Sequence, residues 1–246
     1  MRLDQALVAQ GLARSRSHAH QLIRSGQVTV DGTVVDKPSY AIAAGVRLQA
    51  ARDPYVSRAA YKLIGALDAS ATPVPDRVLD AGASTGGFTQ VLLERGAERV
   101  YAVDVGHDQL APVVRDDPRV VVHEGVNLRG LELAHLDGER VPLVVADVSF
   151  ISLRMLLDPL LGVLDPAGTA LLMVKPQFEV GRTRLGAGGV VRSAADRDEA
   201  VAGVVAEAAR HGWVEDWRGE SPLPGPAGNV EIFVRLVPTK TVGRLA

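Results

Sequence analysis

The chain has 246 residues and no cysteine, which excludes disulfides, thiolate zinc sites and a cysteine nucleophile. Its apolar share of 47% and charged share of 23% are typical of a soluble globular protein. Its most apolar region, 141–174, is interrupted by charged residues and prolines, and these interruptions disfavour a membrane span. The net charge of −2 hides an asymmetry, because residues 1–62 hold nine Lys and Arg against four Asp and Glu. A basic amino-terminal segment predicts contact with a polyanion, and the overall composition suits a cytoplasmic protein.

The first fifty residues predict a small unit of helices and a hairpin. Apolar residues at helical spacing predict two helices, one centred near Leu7 and one near Leu22. Two alternating segments follow, separated by Asp31-Gly32, and that dipeptide between such segments is a strong signal for a β-hairpin.

Basic side chains gather around the second helix and the hairpin. The candidate RNA-contacting residues of this segment are Arg2, Arg14, Arg16, His18, His20, Arg24 and Lys37. Taken singly, each of them fits an ordinary solvated surface. Their density, against Asp31 and Asp36 as the acidic residues nearby, favours a surface that binds nucleic acid.

The same segment resembles a known RNA-binding module. The motifs R-L-D, G-L-x-x-S-R, L-I-x-x-G-x-V-x-V-x-G and K-P follow in the order found in the small RNA-binding domain first seen in ribosomal protein S-four. The resemblance covers residues 2 to about 48, with Asp31 in place of the usual Asn before the hairpin glycine. It implies an RNA-binding domain over 1–50, followed by a linker at 51–57.

Residues 58–238 alternate strand-like and helical patterns, which predicts an α/β fold with a mostly parallel sheet between helices. The predicted strands are 77–80, 99–104, 119–123, 142–147, 168–175, 213–218 and 229–237. The predicted helices are 57–68, 87–95, 107–115, 128–135, 152–163 and 194–211. The last two strands follow one another across a proline-rich turn and should pair antiparallel. The tail 239–246 is expected to be disordered.

The segment VLDAGASTGGFT, residues 78–89, predicts a strand, a glycine turn and a helix start, where backbone N–H groups can approach a ligand. Its glycines do not follow G-x-G-x-x-G, which disfavours a nicotinamide dehydrogenase and suits a nucleoside cofactor without a pyrophosphate. Asp104 ends the next strand, where a carboxylate can hold ribose hydroxyls. A purely structural turn is the alternative.

Four ionisable residues fall at the sheet edge where ligands bind in such folds. Asp147 and Lys175 end predicted strands, Glu231 begins the last strand, and Lys62 lies on the helix before the first strand. Any one of them alone fits a strand end that meets water. Two lysines together favour chemistry, because a partly desolvated lysine beside another cation holds its proton less tightly and can act as a base. The carboxylates would orient the ammonium groups.

These residues resemble the Lys-Asp-Lys-Glu tetrad of the FtsJ-like ribose 2'-O-methyltransferases, in the contexts AYKL, ADVSFISL, LLMVKPQFE and NVEIF. With the amino-terminal module, residues 2–238 are similar to the TlyA family of rRNA methyltransferases, which are sometimes labelled hemolysins. The resemblance implies a Rossmann-like class I methyltransferase fold that methylates a cytidine 2'-hydroxyl in rRNA of the small or large ribosomal subunit. It further implies S-adenosylmethionine as cofactor, no metal, and a catalytic role for Lys62, Asp147, Lys175 and Glu231, with Lys175 as the base.

The resemblance also assigns the cofactor site. The implied residues are Asp80, Gly82, Ala83, Ser84, Thr85, Gly86, Gly87, Phe88, Asp104, Asn127 and Asp147. The basic, glycine-containing segment 177–192 is predicted to be a mobile lid that contacts RNA through Arg182 and Arg184, with a plain surface connection as the alternative. Arg52 and Arg58, in and beside the linker, are further candidate RNA contacts.

Two other functions remain open from the sequence. A non-catalytic RNA-binding protein would keep the methyltransferase fold as a relic, and the intact tetrad argues against that reading. A pore-forming hemolysin would need an amphipathic or membrane-spanning segment, and the sequence shows no such pattern.

Overall fold

The computed structural model describes residues 1–13, 15–43, 45–50 and 53–239. Their contacts divide the chain into two compact units, an amino-terminal unit, Met1–Pro54, and a carboxy-terminal unit that begins at Tyr55. Arg14, Arg52 and residues 240–246 lie outside the described residues, so the RNA contacts and the disordered tail predicted there stay predictions.

The amino-terminal unit contains two helices and a three-stranded antiparallel sheet in the order β2-β1-β3. Its elements are α1 (Leu3–Ala9), α2 (Arg16–Arg24), β1 (Val28–Val30), β2 (Thr33–Val34) and β3 (Leu48–Ala50). The predicted hairpin is confirmed, since Val30 pairs with Thr33 across the turn and Asp31 has a φ of 49°. The sequence analysis missed β3, whose three residues are too few to show an alternating pattern.

A buried carboxylate joins the two helices of this unit. Asp4 on α1 is fully buried and accepts hydrogen bonds from Arg2 at 2.9 Å, Arg16 at 3.1 Å and His20 at 2.9 Å. These charge-assisted bonds, the one from Arg2 above all, hold the pKa of Asp4 far below its usual range. Three of the residues predicted to contact RNA therefore also stabilise the fold, although their side chains remain partly exposed.

The carboxy-terminal unit is an α/β fold around a seven-stranded sheet in the order β6-β5-β4-β7-β8-β10-β9. Its strands are β4 (Arg77–Ala81), β5 (Arg99–Val103), β6 (Val120–His123), β7 (Val141–Ala146), β8 (Leu164–Val174), β9 (Trp213–Glu220) and β10 (Ile232–Pro238). β10 runs antiparallel to both β8 and β9, and the other pairs are parallel. The predicted mostly parallel sheet with an antiparallel last strand is confirmed.

Helices cover both faces of this sheet. They are α3 (Ala59–Ser70), α4 (Gly87–Glu94), α5 (Pro112–Arg115), α6 (Leu157–Gly162), α7 (Pro176–Glu179) and α8 (Ala194–Arg210). Successive residues of β7 point to opposite faces, so Leu143 joins the apolar cluster around Leu63 and Phe88, and Val144 joins the cluster around Leu157 and Val204. Burial on both faces explains why β7 consists of apolar residues alone.

Several predicted boundaries were wrong. The helix predicted at 107–115 forms only over Pro112–Arg115, because the Glu124 carboxylate accepts the backbone N–H groups of Asp108 and Gln109 and holds them in a loop. The helix predicted at 128–135 is two short 3-10 turns, Leu128–Gly130 and Leu133–Leu136, separated by extended backbone. Helix 152–163 divides into a 3-10 turn, Leu153–Met155, and α6. The start of the segment predicted as a lid forms α7.

Candidate active site

The glycine-rich loop joins β4 to α4 at the point where the strand order of the sheet reverses. Gly82 has a φ of 88°, and a Cβ there would lie 2.6 Å from the backbone oxygen of Asp147. Only glycine allows the loops after β4 and β7 to approach so closely. A Cβ on Gly87 would instead collide with Ser57 at the start of α3. The two glycines therefore shape the sheet edge and seat the helix that carries Lys62.

Asp104, directly after β5, organises the neighbouring loop. Its Oδ2 accepts the backbone N–H of Ser84 at 2.8 Å, and its Oδ1 accepts the backbone N–H of Gly106 at 2.7 Å. An ionised carboxylate has about four lone-pair sites, so two remain for other donors. The side chain is thus fixed in direction and still able to accept hydrogen bonds from ligand hydroxyls.

Asp80 is fully buried beneath the glycine loop. Its Oδ2 accepts a hydrogen bond from Thr89 Oγ1 at 2.6 Å, and its Oδ1 has no hydrogen-bond partner in the described part of the chain. The pKa of Asp80 is raised to about 7, chiefly by burial and to a smaller extent by the charges of Asp147 and Asp104, while the Thr89 hydrogen bond opposes the rise. A buried carboxyl oxygen without a partner is unusual, and water or a bound cofactor can satisfy it.

A cavity of about 540 Å³ opens at this edge, a volume typical of sites for small molecules and cofactors. We call it the first cavity. Its lining comprises Gly82, Ser84, Asp104, Val105, Gln109, Asn127, Leu128, Asp147, Val148, Ser149, Phe150, Ile151 and Leu156. A largely apolar wall with a few fixed polar groups suits a nucleoside. Five of the predicted cofactor residues line it, namely Gly82, Ser84, Asp104, Asn127 and Asp147.

A second cavity of about 260 Å³ shares part of this lining. It contains four further predicted cofactor residues, Ala83, Thr85, Gly87 and Phe88, and all four residues of the predicted tetrad, Lys62, Asp147, Lys175 and Glu231. Asp80 and Gly86 belong to neither lining. Because β10 runs antiparallel to β8, the residue before β10 meets the residue after β8. The fold therefore brings the tetrad together from four separate parts of the chain.

The tetrad forms two ion pairs that differ in burial. Lys62 Nζ donates to Glu231 Oε2, with only 5% and 1% of the two side chains exposed. Lys175 Nζ lies 2.6 Å from Asp147 Oδ1 but out of line for a hydrogen bond, and 10% and 16% of these side chains are exposed. Lys175 Nζ instead donates an aligned hydrogen bond to Ser149 Oγ at 2.6 Å.

The sequence analysis missed the loop that follows β7. Its residues Val148, Ser149, Phe150 and Ile151 line the first cavity. Phe150 has a φ of 65° and 91% exposure, and the buried Glu179 fixes the loop by accepting hydrogen bonds from Ser152 Oγ at 2.7 Å and Leu153 N at 2.6 Å. The available signal was a short polar and aromatic run immediately after a strand that ends in a candidate catalytic residue.

The predicted RNA-contacting residues are in different environments. Arg24 and Lys37 are exposed in the amino-terminal unit, and His18 is half-buried there. Arg58 lines the second cavity. Arg184 pairs with Glu199 on α8 at 2.5 Å, and the side chain of Arg182 is not described.

The predicted lid is held at its far end by Asn229. This residue is buried, donates to the backbone oxygen of Gly189 at 3.1 Å and accepts the N–H of Val191 at 2.9 Å.

Across the described ranges, no three His, Asp or Glu side chains converge as a metal site requires. That the protein uses no metal stays a prediction. No helix among the described residues is long and apolar enough to cross a membrane.

Comparisons with known proteins match both units. The FtsJ-like methyltransferase model matches residues 55–237, and the S4 domain model matches residues 1–48. The chain is 50% identical over 239 residues to the 16S/23S rRNA (cytidine-2'-O)-methyltransferase TlyA of Mycobacterium tuberculosis, covering 96% of this chain and 89% of that protein. It is 35% identical over 191 residues to the 23S rRNA (cytidine-2'-O)-methyltransferase TlyA of Campylobacter jejuni, covering 77% of this chain and 73% of that protein.

The solved structure of a protein from Streptococcus thermophilus, provisionally named a hemolysin, matches this chain with a TM-score of 0.77 and 37% identity. The match covers 98% of this chain and 89% of that one. These matches extend over both units and agree with the sheet topology described above. The chain therefore belongs to the TlyA family of FtsJ-like methyltransferases, with an amino-terminal S4 domain.

Proposed function

We propose that this protein transfers a methyl group from S-adenosylmethionine to the ribose 2'-hydroxyl of a cytidine in rRNA. The observation that carries the proposal is the shared lining of two cavities at one sheet edge, one of nucleoside size and one that holds the two lysine–carboxylate pairs. The activities named for the Mycobacterium and Campylobacter relatives support the choice of a cytidine 2'-hydroxyl.

The first cavity fits the cofactor. S-adenosylmethionine supplies, when bound, a methyl group on a positively charged sulfur. Asp104 would hold the ribose hydroxyls, because two backbone N–H groups already fix its carboxylate and lone pairs remain. Asn127 would face the adenine, and Gly82 lets the main chain approach the ligand closely. Asp80 lines neither cavity, so its unpaired oxygen would contribute through a bound water.

The second cavity fits the acceptor ribose. A ribose hydroxyl is a poor nucleophile until its proton leaves. Lys175 is the proposed base because its amine lines the second cavity beside Asp147 and Ser149, which line both cavities. Asp147 and Ser149 hold that amine in place. Lys62, held in place by Glu231, lines the same cavity, and its amino group would stabilise the developing alkoxide. Correct positioning of the two substrates contributes much of the acceleration.

The amino-terminal unit is the proposed rRNA-binding domain, over residues 1–50, joined through a linker at 51–57 to a methyltransferase domain at 58–238. Exposed Arg24 and Lys37 would contact phosphates, as would the solvent-facing parts of Arg2, Arg16 and His20. Ribosomal subunits are the proposed form of the substrate. The relatives' names include both 16S and 23S rRNA, so both subunits require testing.

The test is methyl transfer from labelled S-adenosylmethionine to unmodified small and large ribosomal subunits, with Lys175→Ala measured in parallel. We expect label in ribose with the wild-type protein and none above background with the variant. Cofactor binding by both proteins serves as the control for folding. Label on a base would overturn the ribose assignment. Cofactor binding without label in either subunit would favour the alternative of a non-catalytic RNA-binding protein.

A further inference from the structure

Ser149 lies where it can set the direction of the Lys175 amine. It follows Asp147 by two residues and lines both cavities. Its Oγ accepts a hydrogen bond from Lys175 Nζ at 2.6 Å. Asp147 Oδ1 is equally close to that nitrogen, at 2.6 Å, but out of line for a hydrogen bond. The contact that fixes the direction of an N–H bond of Lys175 is therefore the one to the serine hydroxyl.

Direction matters for a lysine base. The nitrogen of a neutral amine is tetrahedral, with one bond to Cε, two N–H bonds and one lone pair. A lysine side chain has four rotatable bonds and loses considerable conformational entropy when it is fixed. When one N–H points at Ser149 and another faces the Asp147 carboxylate, the lone pair has a single direction left. A base accelerates proton transfer only when its lone pair faces the proton.

The backbone around Ser149 is held from both sides. On one side, the backbone N–H of Asp147 donates to the oxygen of Ala81 at 3.1 Å. On the other side, Glu179 binds the backbone and side chain of the next turn. Phe150, immediately after Ser149, has a φ of 65°, a conformation that is costly for an aromatic residue and persists only where the surroundings enforce it. The serine hydroxyl is thus a fixed acceptor.

We propose that Ser149 is a positioning residue for methyl transfer. It accepts a hydrogen bond from Lys175 in both the ammonium and the amine form, so that the lone pair of the amine faces the acceptor ribose. The O–H bond of the ribose 2'-hydroxyl breaks, and its proton goes to Lys175 Nζ. The ribose oxygen forms a bond to the methyl carbon as the carbon–sulfur bond breaks, which leaves a neutral thioether. The proton then passes to water. This inference rests on the proposed function.

The test compares Ser149→Ala and Ser149→Thr in single-turnover methylation at saturating cofactor and ribosomal subunit. We expect Ser149→Ala to lower the rate about 10- to 100-fold, a part of what a general base contributes, with the Kd for S-adenosylmethionine within about two-fold of wild type. Ser149→Thr keeps the acceptor oxygen and should restore most of the rate. The loss in Ser149→Ala should be as large at about pH 9.5 as at about pH 7.5, because deprotonating a misdirected amine does not redirect it.

Ser152→Ala is the matched control. Ser152 is on the same loop and donates a hydrogen bond to Glu179 rather than contacting Lys175. Removing its hydroxyl therefore measures the effect of loop packing on the rate while the contacts of the Lys175 amine stay intact. The proposal fails if Ser149→Ala methylates at the wild-type rate, if its rate recovers at high pH, or if Ser152→Ala loses as much. A parallel loss of cofactor binding would reassign Ser149 to the cofactor site. The variants test the role of Ser149 only if the wild-type protein labels ribose. A wild-type protein that does not label ribose would contradict the proposed function itself, so the two failures are distinguishable.

Discussion

The two lysine–carboxylate pairs contain the same chemical groups in different surroundings. Lys62 and Glu231 are almost completely buried and contact each other directly. Lys175 and Asp147 are partly open to the second cavity, and Lys175 donates its hydrogen bond to Ser149 rather than to Asp147. A closed pair has a fixed geometry. An open pair has access to substrate and solvent, which a group that takes and releases protons requires.

This difference separates two contributions of ion pairs. Breaking a buried pair leaves one uncompensated charge in the interior, at a cost of about 3–5 kcal/mol, whereas exposed pairs contribute about 0–1 kcal/mol. Both pairs belong to the proposed catalytic site, but breaking the closed pair should cost more stability than breaking the open pair, of which 10% and 16% of the side chains are exposed. The predictions below test that division.

The largest expected effect is on the rate of Lys175→Met. We expect a loss of about 10²- to 10⁴-fold in single-turnover methylation, because the variant keeps the side-chain length and has no base. Its Tm should change by no more than about 2–4 °C, the shift that about 1 kcal/mol produces in a chain of this size. Differential scanning calorimetry beside the kinetic assay checks both values. A large fall in Tm would mean that the open pair also supports the fold.

Lys62→Met tests the closed pair. It leaves the Glu231 carboxylate buried without its partner, so we expect a loss of about 3–5 kcal/mol in the free energy of unfolding. The double variant Lys62→Met/Glu231→Gln should be more stable than the single variant, because it removes the uncompensated charge. Urea unfolding of the carboxy-terminal unit gives the comparison. If the double variant is no more stable, the cost lies in packing rather than in charge.

Asn229, two residues before Glu231 in the sequence, holds the end of the segment predicted as a lid. Asn229→Asp keeps the acceptor for the N–H of Val191 but loses the donor to the oxygen of Gly189. We expect a cost of about 1–3 kcal/mol from the buried group left unpaired, with faster proteolysis within 182–192. Ser193→Ala, which removes the cap of α8, is a control of similar size. Equal cleavage of both variants would argue against a specific role of Asn229 in holding the segment 182–192.

The smallest expected effect comes from Asp80, a buried carboxyl without a cationic partner. Its pKa is raised to about 7, above the usual value of about 4. The folded form therefore holds a proton that the unfolded form releases, and stability falls as the pH rises from about 4 to about 7. Asp80→Asn lacks this slope, so we expect it to be more stable than wild type by a few °C in Tm at about pH 8. Parallel Tm curves of the two proteins between about pH 5 and pH 8 would contradict the prediction.

Much of the fold follows from local pattern. Apolar runs and glycine turns predicted the strands of the mostly parallel sheet, and the absence of a helix before the last strand predicted its antiparallel pairing, which puts Glu231 at the same edge as Lys175. The two failed helices have different causes. At 107–115 the Glu124 carboxylate, distant in sequence, accepts the N–H groups of Asp108 and Gln109, and periodicity does not show such a contact. At 128–135 Asn127 and His135 form hydrogen bonds with backbone N–H groups two and three residues away, within two separate short turns.

The sequence by itself determined the class of fold, the identity of the ionisable residues at the sheet edge and the basic character of the amino-terminal unit. Composition and spacing are sufficient for these properties because each depends on residues that are close in sequence. Only the tertiary structure decided which lysine is closed off and which is open, that Asp4 is buried and bonded by two arginines and a histidine, and that Ser149 reaches Lys175. Burial and hydrogen-bond direction depend on the packing of distant segments, and these two quantities distinguish the closed pair from the open pair that contains the proposed base.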